Sequence, residues 1–86
     1  MHEFKYIVFK PGNLNIFSEE EIIFFSRTID HIGIAKKMGL SEETIISAGH
    51  AIIMDDKVQC YGRSITLKIE SRNEKDTILA KITLGL

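Results

Sequence analysis

The chain has one cysteine, one proline and no tryptophan among its 86 residues. A lone thiol, Cys60, closes no intrachain disulfide and leaves no CxxC pair for a redox centre or a zinc knuckle. No apolar run is long enough to cross a bilayer, and the opening MHEFKYIVFKPGN lacks the basic leader and apolar segment of a secretion signal. A cytoplasmic protein is expected, with no membrane partner. Nor is there an excess of one charge: 11 Lys and Arg meet 12 Asp and Glu for a net charge of −1, which argues against a general nucleic-acid binder and makes any anion site local. His2, His31 and His50 are scattered, with no HxH or HxxxH pair to start a metal site, so neither metal nor cofactor is expected. What is present is a chain 44% hydrophobic, enough for one domain over residues 1–86 that buries roughly two thirds of the surface its unfolded form exposes.

Along the chain the hydrophobic period changes several times. FKYIVF, residues 4 to 9, is β-branched and aromatic and stops at Pro11-Gly12-Asn13, so it reads as a strand ending in a turn. LNIF follows as a short piece, and EIIFF, residues 21 to 25, reads as a buried strand. From Ile29 the spacing turns helical: Ile29, Ile32, Ala35 and Met38 share a face, Thr28 or Asp30 can cap the start, and Gly39 is the stop. IISAGHAIIM, Asp55-Asp56 and KVQCYG then form a β-hairpin. SITLKIE alternates as a half-exposed strand, and SRNE at residues 71 to 74 matches a capping box that opens a helix at Arg72. Ile78, Leu79 and Ile82 would form the buried stripe of that helix, although TILAKITL can also alternate as a strand. The architecture expected is α+β: a mainly antiparallel sheet of four to five strands with two helices, in the order β-β-α-β-β-β-α. An open sheet edge in so small a domain favours a homo-oligomer.

Three kinds of chemistry can be weighed. HIGIAKKMGLSEETII has the Ala35, Gly39 and Ile45 spacing of a helix-turn-helix, but a recognition helix from Ser41 would present Glu42 and Glu43 to phosphate. Cys60 and His50 are the one obvious thiol and base pair; a two-residue turn at Asp55-Asp56 puts them on opposite faces, and a three-residue turn brings them together. The arginines carry more. Arg27, Arg63 and Arg72 each adjoin a serine at a predicted junction, and two of them stand at helix starts, where free backbone N–H groups favour an anion. If Arg27 and Arg72 converge, with Ser64, Ser71 and a Ser47 to Gly49 turn between them, they cradle a phosphate or carboxylate. His31 can donate to the same ligand from its helix start, and Tyr61 can stack on a base.

HIGIAKKMG, IISAGH, CYGRSITL and SRNEKD together resemble a group of small, uncharacterised proteins encoded by bacteriophages and prophages, over roughly residues 21 to 80. That group carries a histidine-led helix, a V-S-A-G-aromatic stretch, a C-aromatic-G-x-S segment and S-R-P-E-D before a final helix. The matching positions are His31, Ala35, Ser47, Ala48, Gly49, Cys60, Gly62, Ser64, Ser71, Arg72 and Glu74. His50 replaces the aromatic, Asn73 replaces the proline, and the following acid is displaced to Asp76. The resemblance implies the cytoplasm of an infected bacterium as the setting and names no reaction. The function expected is non-catalytic binding, with sequestration as one form of it, of an anionic, phosphorylated small molecule or nucleotide by Arg27, His31, Ser47, Gly49, Tyr61, Ser64, Ser71 and Arg72. The alternatives are a module that binds or inhibits a host protein and, third, the DNA binder.

Overall fold

The computed structural model describes residues 2–11 and 19–86; the expected turn at Gly12-Asn13 and all of LNIF lie outside them. The protein is α+β, with a four-stranded antiparallel sheet, a small two-stranded sheet and two helices. In chain order the elements are β1 (His2–Phe9), β2 (Glu21–Ser26), α1 (His31–Met38), β3 (Ile45–Met54), β4 (Lys57–Tyr61), β5 (Arg63–Ser64), β6 (Ile69–Glu70) and α2 (Asn73–Leu84). The large sheet runs β2-β1-β3-β4. Its two central strands are therefore β1 and β3.

Alternation along β1 sends its side chains to opposite faces, and each face carries its own core. Tyr6 and Val8 join Ile22, Ala51, Val58 and Cys60 beneath Ala80 and Leu79 of α2. Ile7 and Phe9 join Ile45 and Ala48 beneath Ala35 and Ile34 of α1, with Leu67 and Ile69 from the β5–β6 hairpin beside them. A β-bulge lets β3 serve both. Val8 pairs with Ser47 and Phe9 with Ile45, so Ile46 is the extra residue and Ile45 turns to the α1 face.

The β3–β4 hairpin has a two-residue turn at Asp55-Asp56, with Asp55 at φ 50°, and its register pairs Ala51 with Cys60 and His50 with Tyr61. The two-residue alternative thus holds, and the histidine and thiol lie on opposite faces. Gly39 ends α1 in the left-handed region at φ 69°, while its own N–H and that of Leu40 bond back to Lys36 and Ala35 carbonyls.

Several local expectations are corrected. EIIFF is an edge strand in which Ile22 alone is buried, because β1 pairs with it on one side only. SITLKIE is no strand: residues 65–68 are a tight turn, with Lys68 at φ 58°, between the two-residue strands β5 and β6. Alternation placed Ile65, Leu67 and Ile69 on one face, but Leu67 and Ile69 reach the core while Ile65 is exposed. Neither Thr28 nor Asp30 caps α1 through its side chain; Thr28 bonds Ser26, and the free N–H of Ile32 is taken by Thr66 Oγ1 of the hairpin at 3.2 Å. The helix is turned so that His31 and Ala35 are buried, leaving Ile29, Ile32 and Met38 exposed.

At the C-terminal end the ambiguous residues are helical through Leu84. The helix starts at Asn73, one residue late, and no Ser71–Glu74 box forms. Asp76 takes over the return reach, accepting from the Arg72 N–H at 3.0 Å, because its carboxylate is already fixed below by Tyr6. That rotation buries Asp76, Thr77 and Ala80 and leaves Ile78 and Ile82 exposed, where the apolar spacing predicted the reverse. No helix follows directly on Gly39: residues 42–44 are a turn and β3 begins at Ile45, so the recognition helix of the DNA-binding alternative is a strand.

Candidate functional site

One row of cross-strand neighbours runs over the α1 face of the large sheet: Phe25 of β2 opposite Lys5 of β1, Lys5 opposite His50 of β3, and His50 opposite Tyr61 of β4. Cross-strand partners have close Cβ atoms, so this register alone brings an ammonium and an imidazole together. His31, the first residue of α1, closes over the row. Its ring meets Phe25 edge-on at a centroid distance of 5.4 Å and His50 edge-on at 5.9 Å, and His50 lies at 5.7 Å from Tyr61.

The result is a cleft of about 270 Å³ lined by Lys5, Asp30, His31, His50, Arg63, Ile65 and Thr66. Its walls come from the sheet, the start of α1 and the β5–β6 hairpin, and Thr66 ties the last two together. Four side chains that are or can become cationic face one carboxylate, that of Asp30. Asp30 sits 3.9 Å from Lys5 and is largely exposed, so this ion pair is weak and gives way to a ligand at little cost.

His31 is buried and fixed. Its Nε2 donates to the Gly49 carbonyl at 2.8 Å, since a carbonyl can only accept. Burial lowers the pKa of His31 from its ordinary value, the Gly49 bond works the other way, and Lys5 and His50 add to the lowering. The carbonyl comes from a residue that tolerates no side chain: a Cβ at Gly49 would stand 2.6 Å from the Tyr61 backbone oxygen and 3.1 Å from Ser71 Cβ.

A second polar cluster lies on the opposite, α2 face and knits the fold. Tyr6 donates to Asp76 Oδ2 at 2.7 Å, which leaves Ser71 to donate to the phenol oxygen. Arg72 grips Asp76 Oδ1 through Nε at 3.0 Å and Nη2 at 2.8 Å, and reaches Glu20 through Nη2 at 2.6 Å. Burial raises the Tyr6 pKa well above its usual value, and the Arg72 bond lowers that of Glu20. Cys60 is sealed behind the cluster, its thiol pushed up to about 11 by burial.

These positions separate the residues singled out in the sequence. Arg72 stands beside Glu20, before β2, whereas Arg27 follows β2 and pairs loosely with Glu3 at 3.7 Å; the two guanidinium groups sit at opposite ends of that strand and do not share a concavity. Ser47 and Gly49 are interior residues of β3 rather than a turn, and Ser47 Oγ is buried without a hydrogen-bond partner among the described residues. Ser64 is buried too, its oxygen accepting from the Leu67 N–H at 3.1 Å to hold the hairpin turn. Ser71 belongs to the Tyr6 cluster. Tyr61 borders the cleft through its contact with His50 and donates to Glu3 at 2.7 Å. Of the expected set, His31 lines the cleft and Gly49 orients it. Lys5, His50, Arg63 and Thr66 were missed as ligand groups. The available signal was the alternation of β1, which puts Lys5 on the face of Ile7, and the two-residue turn, which puts His50 with it.

Among the described residues no group of three or more His, Cys, Asp or Glu is placed to hold a metal ion, and no helix is long and apolar enough to cross a membrane. Comparison of the chain with protein-family models, with curated proteins and with solved structures returns no match.

Proposed function

We propose that the protein binds a small anion, of the class of a phosphorylated metabolite or nucleotide, in the cleft between α1, the sheet and the β5–β6 hairpin. The observation that carries this reading is the convergence of Lys5, His31, His50 and Arg63 around a concavity with Asp30 as its one acid. Lys5 supports it further: its side chain is only 16% exposed, so its charge acts in a less screened setting than a surface lysine's. Arg63 is exposed and has the planar fork suited to phosphate. Ile65, exposed at the rim, offers an apolar surface to the body of an organic ligand. The reading is one of holding the ligand, with no bond made or broken.

Thermal unfolding in the presence of inorganic phosphate, nucleoside monophosphates and cyclic dinucleotides tests it. A ligand at 100 times its Kd stabilises by about 2.7 kcal/mol, which raises the Tm of a domain this size by roughly 10 °C or more. The rise should vanish in Arg63→Ala, whose side chain is exposed, when read against the variant's own ligand-free Tm. Flat curves for every anion would overturn the reading.

Protein association is the second reading, favoured by Ile78 at 59% and Ile82 at 73% exposure, one turn apart on α2. Light scattering checks it: a mass above that of one chain, restored to one chain by Ile82→Glu, supports self-association, and a monomer at all concentrations leaves only a different partner.

A further inference from the structure

We propose that the cleft selects an anion that keeps a proton of its own, hydrogen phosphate or a singly protonated phosphate monoester, over sulfate of the same shape. The inference rests on the anion-binding reading above and refines its ligand class.

A single backbone carbonyl decides the matter. Because Gly49 O accepts from His31 Nε2, that nitrogen carries the hydrogen, and in the neutral ring Nδ1 is a lone pair. No partner for Nδ1 appears among the described residues. It is not sealed either, since the fully buried side-chain polar atom without a partner among those residues is Ser47 Oγ. His31 lines the cleft, so its free nitrogen is the one that a ligand can use.

The neutral form is the one the surroundings favour. Lys5 faces His31 from β1, His50 from β3 and Arg63 from β5, while Phe25 of β2 contributes only an aromatic edge. Asp30 is the single acid nearby, and it leans to Lys5. Tyr61 stands behind His50 with its phenol committed to Glu3. Adding a proton to a buried imidazole among these groups is opposed, as the lowered pKa of His31 reflects.

A ligand in the cleft therefore meets donors on one side and an acceptor on the other. Lys5 and Arg63 ask for acceptor oxygens, and His31 Nδ1 asks for a donor. Sulfate satisfies the first and sets an oxygen lone pair against the nitrogen lone pair. Hydrogen phosphate satisfies both, because the hydroxyl it retains at neutral pH can point at Nδ1. Leaving the nitrogen desolvated and unpaired, as sulfate does, costs at least about tenfold in affinity.

Calorimetric titration of the intact protein with sodium phosphate and sodium sulfate at matched ionic strength tests this. At pH 7.5, above the ordinary histidine range, phosphate should bind at least about tenfold tighter. The gap should close as the pH falls through the lowered pKa of His31, where Nδ1 gains a hydrogen and becomes a donor to either ion. Equal affinities at pH 7.5 would overturn the proposal and leave the anion site standing; no binding of either ion would remove both. A variant at His31 risks unfolding, so nitrogen NMR of the unaltered protein supplies the independent check. At pH 7.5 the His31 ring must show a protonated Nε2 and a bare Nδ1 whose resonance shifts on adding phosphate. A protonated Nδ1, or a resonance that phosphate leaves in place, would refute the inference.

Discussion

Replacing Asp76 by alanine should cost about 3 kcal/mol of folding stability. The carboxylate is fully buried and accepts from four donors: the Tyr6 hydroxyl, the Arg72 backbone N–H, and Nε and Nη2 of the Arg72 guanidinium. Removing one partner of a buried ion pair typically costs about 3–5 kcal/mol, chiefly because the other charge is stranded. Here Arg72 keeps Glu20 at 2.6 Å and its side chain is 28% exposed, so it is not stranded, and the lower end of that range applies. Tyr6 likewise keeps Ser71. For a chain of 86 residues, a total stability of about 4–13 kcal/mol is expected, so the loss is a large fraction of the whole. Urea unfolding followed by circular dichroism measures it, and the Tm should fall by roughly 12–24 °C. Glu20→Gln is the control. Its carboxylate is 34% exposed and screened, so its loss should cost below about 1 kcal/mol. An Asp76→Ala loss under about 1 kcal/mol with an unchanged urea slope, or a Glu20→Gln loss as large as that of Asp76→Ala, would refute the assignment of the buried carboxylate as the centre of the cluster.

Three further outcomes follow from the geometry. Gly49→Ala should destabilise by about 1–3 kcal/mol or prevent folding, since the new methyl group meets backbone at Tyr61; wild-type stability in urea would contradict the 2.6 Å approach. Cys60, buried with its thiol pushed up to about 11, should resist a thiol reagent at pH 8 until urea unfolds the chain, and prompt labelling of the native protein would contradict its burial. His31 gives stability a pH dependence of definite sign. Its pKa is lowered in the folded protein, so the unfolded chain binds the proton more readily; stability should decline as the pH falls below about 6.5 and level off once the pH passes the folded-state pKa. Unfolding curves between pH 8 and 5 should show this decline before Glu20, whose folded pKa is also lowered, adds its own loss below about pH 4.5.

Strands and turns were legible where one local rule governed them. Two residues between the runs of β3 and β4 set the hairpin register and so the faces of His50 and Cys60. Gly39 at the end of α1 followed from the need for a left-handed residue. The helix faces were misread because apolar spacing says which residues share a side, not which side turns inward. His31 bonds to Gly49 and Asp76 bonds to Tyr6, partners 18 and 70 residues away, and each rotates its helix to suit a polar contact. SITLKIE was misread because a period of two also fits a four-residue turn in which Leu67, with Ile69 just after the turn, touches the core. The cleft was hidden for a related reason. Lys5 and His50 become neighbours only through the β1–β3 pairing, which no local pattern announces.

The bond between Tyr6 and Asp76 also bears on how this chain is made. The phenol belongs to a central strand, yet its acceptor is synthesised 70 residues later. Until then, β1 and β3 can pair only around an unanswered hydroxyl. The nascent sheet should stay open and chaperone-accessible until α2 has been made, and close when that helix arrives.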